Sequence, residues 1–281
     1  MGLQVKKAQT SPLVMKPASG WVSLDFHAIW EYRELLYFLT WRDIKVRYKQ
    51  TLLGVAWAVI QPLLMIFVFT LFFGRLAGIP SDGLPYPIFT LTALLPWQLF
   101  SRAFTDASTS LVVNERIITK VYFPRLLVPA SAVMASLVDF AIAFVLLIAM
   151  MFFYGVVPSA AVAALPAFIL LALMTALGIG FWLSALDVQY RDVRYTLPFI
   201  TQLWMFATPI VYPASLVPEG WRLLYGLNPM AGVVEGFRWA LLGKTEGPGP
   251  MLAVSVAAVL VLLISGLCFF RRMEKTFADV I

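Results

Sequence analysis

The stretch FAIAFVLLIAMMFFYGVVPSAAVAALPAFILLALMTALGIGFWLSAL, residues 140–186, runs for 47 residues without a charge. As a single helix it would be about 70 Å long. The hydrocarbon core of a bilayer is only about 30 Å thick. Tyr154-Gly155-Val156-Val157-Pro158-Ser159 supplies turn signals near its middle. The stretch therefore reads as two membrane-crossing helices joined by a tight turn. The first of them extends back through Asp139 to about Leu126.

Working outward, further charge-free stretches cover 50–74, 83–101, 195–218 and 247–270. Each has about the length that one crossing needs. Six spans are expected, roughly 53–75, 85–104, 127–154, 161–185, 196–213 and 250–270. The composition agrees. Of 281 residues, 61% are apolar and only 13% are charged, whereas soluble domains carry about 25% charged residues. This excludes a disordered chain and a disulfide-stapled secreted domain. The single cysteine, Cys268, cannot form an internal disulfide, and the single histidine, His27, excludes an HExxH or Cys/His zinc site. The fold class expected is all-α, a polytopic membrane protein.

Lys and Arg set the orientation. With the N-terminus inside, 17 of the 21 fall on inner segments, so the positive-inside rule puts both termini in the cytoplasm. The net charge of +6 thus reflects topology and does not call for nucleic acid. No cleavable signal pattern is expected in residues 1–50, and the first span would serve as an uncleaved signal.

Residues 1–24 read as a loose tail and 25–281 as one membrane domain. Within 25–49, Phe26, Ile29, Trp30, Leu36, Tyr37, Trp41, Ile44 and Tyr48 recur at three- and four-residue steps, with charges between them. The pattern predicts an amphipathic helix lying in the cytoplasmic interface, with aromatic anchors. The alternative is a cytoplasmic helix packed on protein. Arg42, Lys45, Arg47 and Lys49 crowd its end. They are either ordinary positive-inside flanking or a cationic entrance for an anionic lipid head group. Asp139 lies inside the third span, where a carboxylate is costly. It reads either as a structural hydrogen-bonding group or as a proton carrier.

The inner loops 105–125 and 186–195 are short and charged, suited to docking a cytoplasmic partner or to simple connection. The outer segment 214–249 predicts two short helices, about 219–226 and 230–242, each announced by proline. They are expected to tuck into the outer leaflet or lie on its rim. Glu235 and Arg238 stand i, i+3 and are expected to pair. The fifth span carries Pro198, Pro209 and Pro213 and should be kinked or short. Gly243-Lys244-Thr245 is the nearest approach to a Walker A motif, but the motif needs glycine at 238, where the chain has Arg238. ATP hydrolysis by this chain is not expected.

Four stretches carry a family resemblance: RDIKVRYKQTLLGVAWAVIQPLLM (42–65), PWQLF with NERIITKVYFPRLLVP (96–129), ALDVQYRDVRYTLPFITQLWMFATPIVYP (185–213) and LYGLNPMAGVVEGFRWALLG (224–243). Together, and in this order, they resemble the membrane subunit of ATP-binding-cassette polysaccharide exporters, the O-antigen, capsule-like and teichoic acid permeases. The resemblance implies a homodimer of six-span subunits in the bacterial inner membrane, with two cytoplasmic ATPase subunits holding ATP and Mg. It implies export of an undecaprenyl-diphosphate-linked glycan, most readily O-antigen, with teichoic acid or another glycoconjugate as the alternative. The chain itself would hold no cofactor. Coupling helices would lie in the inner loops, involving Asn114, Glu115, Arg116, Lys120, Asp187, Tyr190, Arg191 and Asp192. The two short outer helices would be periplasmic gate helices, with Glu235 and Arg238 in the outer gate.

Aromatic faces suit the apolar C–H faces of sugar rings, and Trp57, Trp97, Phe100, Trp204 and Tyr212 are the candidates for a conduit. Packing and interfacial belts are the competing explanation for such residues. A membrane enzyme would need a catalytic constellation that the scattered acidic residues do not provide. A secondary transporter would be expected to show an internal repeat, and none is visible.

Overall fold

In a computed structural model, the described residues are 30–49, 55–243, 247 and 249–277. The tail at 1–24 lies outside them, as does the first part of the expected interfacial segment. Every regular element among the described residues is helical. Helix α1 spans Arg33–Lys49, and α2 spans Val55–Phe69 and continues as a π-helix over Thr70–Leu76. Helix α3 spans Tyr86–Val113 and leads into the single turn α4, Glu115–Ile118. Helices α5, Leu127–Phe153, and α6, Leu165–Gln189, form the pair foreseen in the 47-residue stretch. The turn between them has Gly155 at φ 65° and is followed by a 3₁₀ turn over Ala160–Ala164, capped by the Ser159 side chain. Helix α7 spans Asp192–Ala207, α8 Glu219–Tyr225, α9 Pro229–Leu242 and α10 Pro250–Met273.

Among the described residues four helical stretches are long and apolar enough to cross a membrane: Ala56–Leu76, Leu127–Phe153, Ala160–Gln189 and Pro250–Met273. The other two expected spans are helices of different character. Helix α3 has 28 residues, about 42 Å, but it is the bundle's central pillar. From Tyr86 to Trp97 all its residues except Pro87 are buried. Contact with protein rather than lipid lets it carry Gln98 and Asp106, both partly buried. Helix α7 has only 16 residues, about 24 Å, and its helical hydrogen bonding stops ahead of Pro209 and Pro213.

Helix α3 packs against α5, α6 and α9, and α6 packs against α10. The α6–α10 crossing is made possible by small residues, as in other membrane bundles. A Cβ added to Gly266 would sit 2.1 Å from the Gly178 carbonyl oxygen. Gly266→Val should therefore splay the two helices and cost about 1–3 kcal/mol. A lowered melting temperature of the detergent-solubilised protein is the expected readout.

A second apolar cluster gathers Leu39 of α1, Ile118 and Phe123 of the first inner loop, Phe181 and Ala185 of α6, and Phe270 and Phe277 near the C-terminal end. Both ends of the described chain therefore meet at one end of the bundle. Arg125 seals it. Its backbone N–H donates to Glu274 Oε1 at 3.1 Å, its guanidinium donates to the Glu274 carbonyl, and it lies over the Phe277 ring.

At the opposite end, one of the two placements expected for the second short outer helix is excluded. Helix α9 does not lie on a rim. Met230, Ala231, Val233, Val234, Phe237 and Ala240 are fully buried among neighbouring helices. Burial on all sides, with Glu235 and Arg238 paired inside, marks a core helix and not an amphipathic surface one.

Candidate functional site

Helix α1 has no glycine or proline, an acidic residue in its first turn (Glu34) and basic residues in its last (Arg47, Lys49), all favourable to the helix dipole. Its orientation reverses the usual arrangement of an amphipathic helix on a soluble protein. Trp30, just ahead of it, and Tyr37, Phe38 and Trp41 within it are exposed, while the side turned to the bundle carries Leu39, Arg42, Asp43 and Arg47. Aromatics outward and ion pairs inward suit a helix whose outer side meets lipid and head groups.

Two polar clamps hold this inward side. Arg42 donates to Asp43 Oδ1 at 2.7 Å and to Asn114 Oδ1 at 2.6 Å, and Ser131 Oγ donates to the other Asp43 oxygen at 3.4 Å. Arg47 bridges two helices, pairing with Asp106 of α3 at 2.6 Å and with Asp139 of α5. The Tyr48 hydroxyl donates to the second Asp139 oxygen, and Arg102 adds a 3.3 Å contact to Asp106. Burial, then the bond to Asp139, pushes the Tyr48 phenol up to about 12. The hydroxyl thus stays a donor at physiological pH. Asp139 is ion-paired, which offsets the cost of a carboxylate so far inside α5.

The four cations of the expected entrance therefore separate. Arg42 and Arg47 are engaged with the bundle. Lys45 and Lys49 point outward and, with Ile44 and Tyr48, line a shallow groove of about 460 Å³. Lys45 Nζ lies 5.3 Å from the Trp41 ring centre.

Beside α1 a cleft of about 790 Å³ is lined by Arg42, Arg47, Arg102 and Asp106, and also by Asn114, Glu115 and Arg116 of the first inner loop. The sequence treated these as two separate features, and the fold brings them together. Asn114 links them, since it ends α3, precedes α4 and accepts from Arg42. Glu115, Arg116 and Lys120 are exposed around it. In the second inner loop Tyr190, Arg191 and Asp192 are also exposed, but Asp187 is turned in. Both of its oxygens accept from Arg194 Nε, at 3.0 and 3.1 Å. Sequence reading missed Arg194 and Asp106. Only a seven-residue spacing across a helix end signalled the first, and nothing local signalled the second.

The aromatic candidates also separate. Trp57 is half-exposed. Trp97 and Phe100 are buried, and Phe100 packs edge-on to Trp204 with ring centres 5.0 Å apart. These two rings offer no open face to a passing sugar. Their place is explained by packing at the heart of the chain. Trp204 donates to Asn228 Oδ1 at 2.8 Å, and Tyr212 shares a 2.8 Å hydroxyl contact with Tyr225.

At the far end Arg238 is fully buried. It pairs with Glu235 at 2.8 Å, donates to the carbonyls of Ile210 at 2.9 Å and Tyr212 at 3.3 Å, and lies 3.7 Å from the Phe89 ring centre. Burial pulls its pKa down and Glu235 opposes that shift. Gly243, at φ 64°, is the left-handed residue that ends α9, a helix stop and not a phosphate cradle.

The profile of the ABC-2 type transporter membrane family matches residues 34–242. The chain is similar to an O-antigen export system permease protein of Myxococcus xanthus, 30% identical over 258 residues, which is 90% of this chain and 97% of that protein. It is similar to a protein of the same description from Klebsiella pneumoniae, 28% identical over 249 residues, covering 88% and 95%. It also resembles a polysialic acid transport protein of Escherichia coli, 23% identical over 241 residues, covering 83% and 91%.

Proposed function

The chain belongs to the ABC-2 type transporter family, and on that footing we propose that it is the permease subunit of a bacterial polysaccharide exporter. Its cargo is a glycan carried on an undecaprenyl diphosphate, with O-antigen as the first choice because relatives named for O-antigen export align over most of the chain. Two copies form the passageway, and two separate ATP-binding-cassette subunits dock below. Both termini lie in the cytoplasm.

The observation that carries the mechanism is the shared cleft between α1 and the 114–116 turn. The lipid anchor approaches from the inner leaflet along the aromatic edge of α1. Lys45 and Lys49 supply exposed cationic heads for the diphosphate, and Trp41 and Ile44 supply apolar contact. Exposed Glu115, Arg116 and Lys120, with Tyr190, Arg191 and Asp192, form the docking face for the motor. Closure of the motor on ATP pushes α4, and through Asn114 and Arg42 the push reaches α1. The glycan then passes between the copies along the α2 and α7 faces, where Trp57, Phe199 and Phe206 are exposed.

Lys45→Glu with Lys49→Glu tests the entrance without touching the clamps. In the reconstituted complex the variant should keep basal ATP hydrolysis and lose about tenfold in affinity for the lipid-linked glycan, equivalent to about 1.4 kcal/mol. Unaltered concentration dependence of stimulation would remove the entrance from this helix edge. For the cargo, deletion of the chain should strand lipid-linked polymer in the cytoplasmic leaflet and clear it from the cell surface.

A further inference from the structure

We propose that one face of α3, from Gln98 to Thr109, meets the exported chain on its inner path and selects a neutral, hydroxyl-rich glycan over an acidic one. This rests on the export reading above and narrows its cargo to one chemical class.

Over residues 98–109 burial follows the helix period. Leu99, Phe100, Ala103, Phe104, Ala107 and Ser108 are buried against the bundle. The six positions left open are Gln98, Ser101, Arg102, Thr105, Asp106 and Thr109. Their three- and four-residue recurrence makes one stripe about 17 Å long, and every side chain on it is polar. The long apolar helices are built the opposite way. Val145 and Ile148 of α5, and Val261 and Ile264 of α10, are exposed apolar residues that suit lipid. An open face that is wholly polar suits water.

The stripe is more than the wet inner end of a helix. Arg47 ties Asp106 to Asp139 and so puts them at one level. Asp139 lies about 18 Å along α5 from Leu127 and about 21 Å from Phe153, near the middle of that helix. Helices α3 and α5 are joined by a short inner loop and packed together, so they run antiparallel. Gln98, Ser101, Arg102 and Thr105 therefore lie outward of that level, at membrane depth. There a charged side chain faces the bundle or a water-filled space, not acyl chains. Inward, Arg102, Asp106 and Thr109 line the cleft beside α1. Cleft and stripe form one continuous polar path.

The chemistry of the stripe is that of sugar recognition without net charge. Ser101, Thr105 and Thr109 each donate to a carbonyl of their own helix, at 3.3, 2.8 and 3.3 Å. Their oxygens remain acceptors for glycan hydroxyls. The Gln98 amide has no partner among the described residues and offers donors as well as an acceptor. The charges cancel. Arg102 and Arg47 stand against Asp106 and Asp139, and at the inner mouth Arg42 stands against Asp43. A carboxylate on every sugar would meet Asp106 with no surplus cation in this set to offset the repulsion. The diphosphate anchor is met elsewhere, by Lys45 and Lys49.

The test uses the assembled complex with its ATPase subunits in liposomes. Two probes on undecaprenyl diphosphate are compared, a neutral hexose oligomer and a hexuronic acid oligomer of equal length with one carboxylate per sugar. The neutral probe should half-saturate the rise in ATP turnover at a concentration about tenfold lower. Thr105→Lys, which adds a cation to the stripe, should narrow or reverse that ratio, whereas a packing role for Thr105 would weaken both responses alike. Ser101→Cys and Thr105→Cys, each with Cys268→Ser, should react with a charged thiosulfonate, and the neutral probe should slow the reaction. Val145→Cys, on the lipid side, should stay unreactive. Unreactive thiols in both stripe variants, or equal responses to the two probes, would overturn the inference, and equal responses would leave the export reading standing. No response to either probe, with the stripe thiols reactive, would overturn the export reading and the selection with it.

Discussion

Arg47→Leu should detach α1 from the bundle. The substitution strands Asp106 and Asp139 together at the inner end of α3 and α5, with only Arg102 near one of them. Breaking a buried pair by removing one partner costs about 3–5 kcal/mol. Arg47 retains 16% and the carboxylates 26–30% side-chain exposure, so about 2–3 kcal/mol is expected after solvent screening. The measurable results are a lower melting temperature in detergent and rapid proteolysis near residues 30–50. The double variant Arg47→Leu, Asp139→Leu removes charge from both sides. It should recover most of the thermal stability, because Asp106 keeps Arg102, but not the glycan response, because α1 is no longer fixed to α3. Equal melting temperatures for wild type and the single variant would show that the clamp carries no load.

Arg238→Leu should have the largest effect of any single change. It leaves Glu235 unpaired beside two backbone carbonyls, all taken from water. Loss of one partner from such a site costs about 3–5 kcal/mol, a large part of a protein's net stability. The expected outcome is little folded protein in the membrane. Adding Glu235→Leu should restore only part of it, since the Ile210 and Tyr212 carbonyls still lack donors. Arg238→Lys should be intermediate, because a compact ammonium cannot reproduce the planar fork that spans carboxylate and carbonyls. Wild-type yield and melting temperature for Arg238→Leu would show that the 208–213 segment does not depend on this cation.

The helical bundle was legible because its signal is one of length and charge exclusion. The 47-residue stretch, its Tyr154–Ser159 turn and the prolines that end α7 each act locally. The i, i+3 spacing of Glu235 and Arg238 likewise foretold their pair. What stayed hidden depends on packing. Helix α3 has span length, yet nothing local marks it as the pillar. Helix α9 follows Asn228-Pro229 and is short, which left a tucked-in and a rim position open, and only the fold encloses it. The cluster Arg42, Lys45, Arg47 and Lys49 reads as one patch in sequence. On a helix it splits into a bundle side and a lipid side, and the partners of Arg47 lie 59 and 92 residues away. Similarly, Trp97 and Phe100 suit sugars by chemistry but are already occupied by each other, with ring centres 5.4 Å apart.

The most direct measurement is ATP turnover in liposomes holding this chain with its cognate ATP-binding-cassette subunit, with and without an undecaprenyl-diphosphate-linked glycan. The expected result is no turnover by the chain alone, basal turnover by the complex, and a saturable rise on adding the glycan that Lys45→Glu with Lys49→Glu weakens. ATP hydrolysis by the isolated chain, or a complex whose turnover ignores every lipid-linked glycan supplied, would contradict the account.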